Sequence, residues 1–166
     1  AAPRRVKYRL EAAQENTGFF GDGYAPDAEQ VELCEEYGLP MLIHTGDSRY
    51  DYSNPNRLIP ILDIYDKLVV VGAHFGGWSM WEEASKLLCD RENFYVDCSS
   101  SFYALSDEKI REIIAAYGVD RVLFGTDYPM WNVETEVKRF LSLGYNQEDA
   151  DKILYQNAVK VYNLKL

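Results

Sequence analysis

Two histidines and one aspartate stand at the ends of three apolar segments. The chain's only histidines, His44 and His74, end Pro-Met-Leu-Ile-His and Leu-Val-Val-Val-Gly-Ala-His, and Asp127 follows Arg-Val-Leu-Phe-Gly-Thr. Imidazole and carboxylate are common ligands of zinc-like ions, and a catalytic site keeps one coordination position open for water. The metal lowers the pKa of that water toward about 7, and a nearby acid or base can then transfer protons. The three side chains therefore predict a site that binds a divalent metal and moves protons.

Each of these residues also has an ordinary structural explanation. A histidine after an apolar segment is commonly a hydrogen-bonded buried residue, and an aspartate there is commonly the N-cap of the next helix. The repetition of the pattern at three segment ends favours the site. Asp97 ends a fourth apolar segment, and Lys7 lies on a first, weaker one; we expect both as possible lining residues.

The elements that must position these side chains follow from the alternation of two periodicities. Strands are predicted over 6–11, 41–44, 68–74, 94–96 and 122–126. Helices are predicted between them, starting near Asp27, Pro55, Ser79, Ser106, 133 and Asn146. Strands that are apolar on both faces and separated by helices are typical of a parallel sheet covered by helices. Ligands of such α/β folds bind outside the carboxyl ends of the strands.

Two parallel architectures fit this pattern. A doubly wound sheet of about five strands suits the length, and so does half of a (β/α)8 barrel, since a whole barrel needs about 250 residues. No G-x-G-x-x-G or Walker-type loop occurs, so the usual signature of a nucleotide-binding open sheet is missing. The pattern alone leaves both architectures open.

Aromatic residues are frequent in the loops and first helical turns at the same end of the predicted sheet. The set comprises Trp78, Trp81, Phe102, Tyr103, Tyr128 and Trp131. Most of them are expected to pack in the core, but Trp78 and Tyr128 are possible site-lining residues. An aromatic-lined pocket would suit a planar, small-molecule substrate.

Composition excludes some partners. The 166 residues carry a formal net charge of −10, which disfavours nucleic acid and anionic membranes as partners. No apolar run approaches the roughly 20 residues of a membrane span. Three widely spaced cysteines predict neither a disulfide framework nor a thiolate zinc site. With no leader visible, we expect a cytoplasmic protein.

Three motifs resemble those of a known enzyme superfamily. His-Thr-Gly (44–46), Ala-His-Phe-Gly-Gly (73–77) and Phe-Gly-Thr-Asp-Tyr-Pro (124–129) look like signature strands of the amidohydrolase superfamily. More closely they resemble the amidohydrolase-related branch, which includes aminocarboxymuconate-semialdehyde decarboxylase and the resorcylate-type decarboxylases. The resemblance implies a (β/α)8 barrel with a divalent metal, usually zinc. It implies that His44 is a metal ligand, that His74 is catalytic, and that Asp127 binds metal and shuttles protons.

The family's His-x-His or Glu-x-His pair of strand 1 is absent from this sequence. We therefore expect residues 1–166 to form a single domain containing about strands 4–8 of the barrel. The N-terminal half would be missing, and this part alone would be inactive. The missing half, or another copy in a homo-oligomer, would complete the barrel.

The resemblance implies a metal-dependent hydrolase of amide, ester or lactone bonds as the first expectation. There, metal-activated water attacks a carbonyl carbon, Asp127 takes the proton, and His74 stabilises the oxyanion. The alternative is a metal-dependent, non-oxidative decarboxylase of an aromatic or unsaturated acid, in which Asp127 or His74 protonates the carbon that loses CO2. A third reading, from another class, is a non-catalytic half-barrel with a binding or structural role.

Overall fold

The computed structural model describes residues 28–165, and these contain a parallel sheet of four strands. The strands are β1 (Met41–Ile43), β2 (Val70–Gly72), β3 (Phe94–Asp97) and β4 (Val122–Leu123). They lie side by side in chain order, each hydrogen-bonded to the next. The strand and the lysine predicted over 6–11 lie outside the described residues.

The α-helices of the described residues lie before, between and after the strands. They are α1 (Ala28–Tyr37), α2 (Leu58–Ile64), α3 (Trp81–Leu88), α4 (Asp107–Tyr117), α5 (Val133–Leu141), α6 (Gln147–Asp151) and α7 (Asn157–Val161). A π-helical segment, Lys152–Gln156, joins α6 to α7, so the helix predicted to start near Asn146 is continuous but locally widened. None of the described helices is long and apolar enough to cross a membrane.

The two faces of the sheet have different surroundings. Val70, Phe94, Val96 and Val122 point into the apolar core, together with side chains of the helices. Residues on the opposite face line an open cavity instead, namely Leu42, Val71, Asp97 and Leu123. A doubly wound sheet carries helices on both faces and reverses its strand order at one point. Strands in strict chain order, with a helix layer on one face of the described part, are the geometry of a barrel segment.

Helix starts follow local capping chemistry. Ser106 accepts a hydrogen bond from Lys109 N at the start of α4, and Asn146 accepts one from Asp149 N at the start of α6, as predicted. Helix α4 ends at Gly118, which has a φ of +84°, a conformation that glycine adopts without strain. Ile110, Ile113, Ile114 and Tyr117 are buried on one face of α4.

Two predicted helix starts are corrected. Ser79 does not cap α3, because its hydroxyl accepts from Ser48 N at 2.9 Å and donates to Ser48 Oγ at 3.1 Å; the helix begins after Met80. The α-helix predicted to start near Pro55 begins later, at Leu58. A 3-10 turn, Pro55–Arg57, comes first, so Pro60 lies in the first turn of α2, where a missing N–H costs no internal hydrogen bond.

Three of the predicted strands are longer than the observed ones, whereas the strand predicted over 94–96 extends to Asp97. The strand predicted over 122–126 ends at Leu123. The next residue, Phe124, donates its N–H to the carbonyl oxygen of Ile153 in the π-helical segment rather than to β3. The strand predicted over 68–74 ends at Gly72, and His74 already has a φ of +59°. His74 and Asp127 therefore belong to the loops that follow the strands.

Candidate active site at the carboxyl ends of the strands

The sheet register brings the strand ends to one edge. Ile43 pairs with Gly72, and Gly72 pairs with Val96, so the residues that follow β1 and β2 lie next to each other. His44 Nδ1 lies 3.1 Å from His74 Nε2, and the two rings meet edge to face with centroids 5.0 Å apart. The two histidines, 30 residues apart in the chain, thus form a contacting pair.

His74 is buried and held from the side opposite His44. Its Nδ1 lies 3.0 Å from the carbonyl oxygen of Ser99 and 3.0 Å from the Ser99 hydroxyl. The Ser99 hydroxyl donates in turn to Asp97 Oδ1 at 2.5 Å. Asp97 Oδ1 also accepts from the backbone N–H of Ser99 at 2.9 Å and of His74 at 3.2 Å. Asp97 is therefore connected to the histidine pair through Ser99.

Asp127 is positioned by a second serine of the same loop. Ser100 Oγ donates to Asp127 Oδ2 at 2.7 Å and accepts from Trp131 Nε1 at 2.9 Å. The indole thus orients the hydroxyl, and the hydroxyl orients the carboxylate. Ser100 is buried, whereas Asp127 is exposed and lines a cavity.

The histidines and Asp127 face one cavity of about 420 Å³. Its other lining residues are Asp47, Arg49, Trp78, Ser100, Tyr103, Met130 and Trp131. The rings of Tyr103 and Trp131 stack with centroids 5.1 Å apart and planes 16° apart, which forms a flat aromatic wall. A wall of this kind can contact the face of a planar ligand.

Arg49 is the cation that lines this cavity. Its Nε and Nη2 donate to the two carboxylate oxygens of Asp47 at 2.9 Å and 2.7 Å. These hydrogen bonds with Arg49 lower the pKa of Asp47 to about 2. The guanidinium lies 5.7 Å from the centroid of the Trp78 ring, in the range of a cation–π contact. The carboxylate holds the guanidinium at the cavity wall.

Partial burial lowers the pKa of the His44 imidazole, and the neighbouring His74 lowers it further. Asp47 and Asp127 act in the opposite direction, because their negative charges favour the imidazolium. The net effect favours neutral His44, which is the form that can bind a metal ion.

Strained backbone is concentrated at this edge of the sheet. His74, Ser100 and Asp127 are not glycines, yet they have φ values of +59°, +45° and +54°. Such conformations cost of order 1–3 kcal/mol each and persist where the surrounding structure fixes them, often at active sites. Their presence at three positions around one cavity supports a functional role for it.

The residues predicted to line the site lie in different places in the structure. Trp78 lines the cavity that contains the aromatic wall. Asp97 lines the neighbouring cavity on the sheet face, and the two histidines and Asp127 line that cavity too. Tyr128 is 77% exposed and is absent from the lining of both cavities within the described chain. Lys7 lies outside the described residues. Trp81 and Phe102 pack against the core.

Sequence reasoning missed three residues. Ser99 and Ser100 come two and three residues after Asp97, and their position after a strand was a usable signal, but serine is common in loops for other reasons. Arg49 had no signal beyond its place in the loop after His44. Its role depends on Asp47 and Trp78, which fold around it.

The donor set suits a divalent metal in kind but is short in number. His44 and Asp127 supply an imidazole and a carboxylate to one cavity. Within residues 28–165, no group of three or more histidine, cysteine, aspartate or glutamate side chains is arranged to hold a metal ion. Catalytic zinc sites use three protein ligands, so further ligands would have to come from outside the described part of the chain.

Comparison with known proteins gives the family. The family model described as Amidohydrolase matches residues 6–164. The chain belongs to the amidohydrolase family.

Relatives of this amidohydrolase-family chain include the gamma-resorcylate decarboxylase of Polaromonas sp. strain JS666. That protein is 27% identical over 123 residues, which are 63% of this chain and 37% of the relative. An uncharacterized TIM-barrel protein from Bordetella bronchiseptica is 28% identical with a TM-score of 0.67, over 79% of this chain and 48% of that one. The chain therefore spans less than half the length of either protein.

A third structure of similar fold has a bound metal. The dihydroxybenzoic acid decarboxylase of Polaromonas sp. JS666, with manganese and the inhibitor 2-nitroresorcinol, is 18% identical with a TM-score of 0.62. The match covers 96% of this chain and 65% of that one. At this identity the likeness concerns the fold. Together the matches confirm the fold predicted from the motifs, part of a (β/α)8 barrel.

Proposed function

We propose that the protein is a metal-dependent, non-oxidative decarboxylase of an aromatic acid that carries a hydroxyl group next to its carboxylate. The observation that carries the proposal is the cavity in which His44, His74 and Asp127 face a flat wall of Tyr103 and Trp131. The named decarboxylase relatives support this choice over the hydrolase that the sequence put first.

His44 and Asp127 would hold the metal, which we propose to be zinc. Imidazole and carboxylate ligands suit zinc, and manganese also accepts carboxylates. A divalent metal at this position would act as a Lewis acid toward the hydroxyl and carboxylate oxygens of the substrate. The further ligands would come from segments outside residues 28–165.

Asp127 is the proposed proton donor. Ser100 donates to one carboxyl oxygen of Asp127, and Asp127 lines the cavity. In its protonated form, Asp127 gives its proton to the ring carbon that bears the carboxylate. The bond between that carbon and the carboxylate then breaks, its electron pair restores the aromatic ring, and CO2 leaves. Water returns a proton to Asp127, so each turnover consumes one proton from solution.

His74 would act on His44 and Arg49 on the substrate, and neither would take part in bond breaking. His74 holds His44 in position through the 3.1 Å contact of their rings. Arg49 lines the cavity and has one amino group, Nη1, beyond the two nitrogens that bind Asp47. Guanidinium binds carboxylates strongly, so Arg49 would orient the anionic substrate against the aromatic wall.

We also propose that residues 1–166 form one domain, that strands outside the described residues close the barrel, and that the protein acts in the cytoplasm on a small molecule. The closing strands would belong to an N-terminal half of the protein or to a second copy of the chain. The molecular mass of the purified natural protein in solution distinguishes these two arrangements. If a second copy closes the barrel, the protein must be at least a dimer.

The test uses the full-length natural protein. With 2,6-dihydroxybenzoate as substrate, we expect CO2 and resorcinol, and elemental analysis should find a stoichiometric divalent metal. His44→Ala should lose both metal and activity, while Lys138→Met, an exposed change on α5, should keep both. Hydrolysis of lactones or amides without CO2 release would instead support the hypothesis that the protein is a hydrolase. A protein with neither metal nor activity would support the non-catalytic reading.

A further inference from the structure

Asp97, Ser99, His74 and His44 form one continuous hydrogen-bonded chain. It runs from Asp97 Oδ1 to the Ser99 hydroxyl (2.5 Å), from Ser99 to His74 Nδ1 (3.0 Å), and from His74 Nε2 to His44 Nδ1 (3.1 Å). Ser99 is 4% exposed and His74 is 8% exposed, so water competes little for the bonds between these two residues, whereas His44 is exposed. These hydrogen bonds connect an acid on β3 to the proposed metal ligand after β1.

The chemistry of the acceptors fixes the proton positions along this chain. A carbonyl oxygen can only accept, so the 3.0 Å contact between His74 Nδ1 and the Ser99 carbonyl requires a proton on Nδ1. The Ser99 hydroxyl has a single proton, and it donates this proton in a hydrogen bond to the Asp97 carboxylate. Ser99 therefore offers two acceptor atoms to Nδ1 and no donor. Neutral His74 must then be unprotonated at Nε2.

The contact with His74 also determines which ring nitrogen of His44 is protonated. Because His74 Nε2 has a lone pair and no proton, His44 Nδ1 must donate across the 3.1 Å contact. A neutral imidazole has one N–H, so His44 Nε2 has its lone pair free. An imidazole nitrogen binds a metal through this lone pair, and the hydrogen bond of the other nitrogen selects which one it is.

We propose that Asp97 is a positioning residue that, by hydrogen bonding to Ser99, fixes the tautomers of His74 and His44 and presents His44 Nε2 for metal binding. The role of His44 as a ligand rests on the proposed function, whereas the tautomers do not. Asp97 acts through its acceptor oxygen rather than through its charge. This oxygen holds three donors at once, namely the N–H and O–H of Ser99 and the N–H of His74.

The first experiment reads the tautomers directly. Histidine nitrogen NMR on the metal-free, full-length protein distinguishes a protonated from an unprotonated ring nitrogen, and His74→Asn assigns the signals. For neutral side chains we expect protons on Nδ1 of both His74 and His44. A neutral His74 with its proton on Nε2 overturns the proposal, whether or not the protein proves to be a decarboxylase.

The second experiment separates hydrogen bonding from charge. Asp97→Asn keeps the acceptor oxygen and should keep the tautomers, the zinc affinity and nearly the whole of kcat. Asp97→Ala removes the acceptor, and we expect mixed tautomers and a loss of about 10- to 100-fold in zinc affinity and kcat, with KM little changed. Equal losses in both variants would show that the charge is what matters and would overturn the proposal.

A matched control accounts for the loss of a buried polar group. Ser85 is 6% exposed and bonds within α3 to Glu82 O, away from the cavity. Ser85→Ala should leave zinc affinity and tautomers unchanged. Where Asp97→Ala does not fold, the tautomer of the natural protein together with Asp97→Asn still decides: altered tautomers in Asp97→Asn, which retains the oxygen, would overturn the proposal.

Discussion

Ser100 Oγ donates a hydrogen bond of 2.7 Å to Asp127 Oδ2, which joins the loop after β3 to the loop after β4. Both residues have positive φ values, +45° for Ser100 and +54° for Asp127. The bond therefore links two strained positions across 27 residues of sequence. It holds one carboxyl oxygen of Asp127 against the loop that follows β3.

Replacing Ser100 should disturb the orientation of Asp127. For Ser100→Ala we expect kcat to fall by about 10-fold or more, because supporting partners of active-site groups carry effects of this size. The Trp131 indole also loses its acceptor, so a stability loss of about 1–3 kcal/mol is expected. Steady-state kinetics and urea unfolding measure the two effects. An unchanged kcat would show that Asp127 holds its position without Ser100.

Arg49 should govern binding of the anionic substrate. Arg49→Met removes the guanidinium while keeping a long apolar side chain against Trp78. Hydrogen bonds to charged groups contribute roughly 1.5–3 kcal/mol, so we expect KM for the aromatic acid to rise by about 10-fold. Inhibition by neutral resorcinol should change little, since it has no carboxylate. Equal weakening of both ligands would point to a structural role for Arg49.

Gly46 is required by a close approach of two backbones. Its φ is +96°, and a Cβ there would lie 2.3 Å from Trp78 N and 2.4 Å from Trp78 O. Gly144 has a φ of +78° but no atom within 4 Å of such a Cβ, so it is the matched control. We expect Gly144→Ala to cost about 1–2 kcal/mol of unfolding free energy, from backbone strain alone.

Gly46→Ala should cost about 3 kcal/mol or more, because the backbone of Trp78 must also move. Urea unfolding gives both values. The displaced Trp78 should in addition weaken ligand binding in Gly46→Ala but not in Gly144→Ala. Similar stability losses in the two variants would contradict the steric argument.

Glu136 should make stability depend on pH. This residue of α5 is 8% exposed, and burial raises its pKa above the ordinary 4.5. A raised pKa means that the folded state binds more protons than the unfolded state above pH 4.5, so this group lowers stability as pH rises through that window. Glu136→Gln removes the effect. The variant should gain stability relative to the natural protein at pH 7 and not at pH 4, as thermal unfolding at the two pH values will show. A gain of equal size at both would exclude titration of Glu136 as its cause.

The sequence by itself determined the alternation of strands and helices, most helix starts, and the chemistry-bearing residues after the strands. These features are local. Apolar periodicity selects the element, and a side chain such as that of Ser106 or Asn146 caps a helix within three residues of itself. The motifs around His44, His74 and Asp127 also indicated the family.

Tertiary structure decided what these residues do to one another. The His44–His74 contact, the placement of Ser99 against His74 and that of Ser100 against Asp127 span 25 to 30 residues. They depend on strand register and on loops with positive φ, where side-chain direction no longer follows the strand period. For the same reason periodicity alone left the doubly wound sheet open. Only the pairing of the strands in chain order, with helices on one face of the described sheet, excluded it.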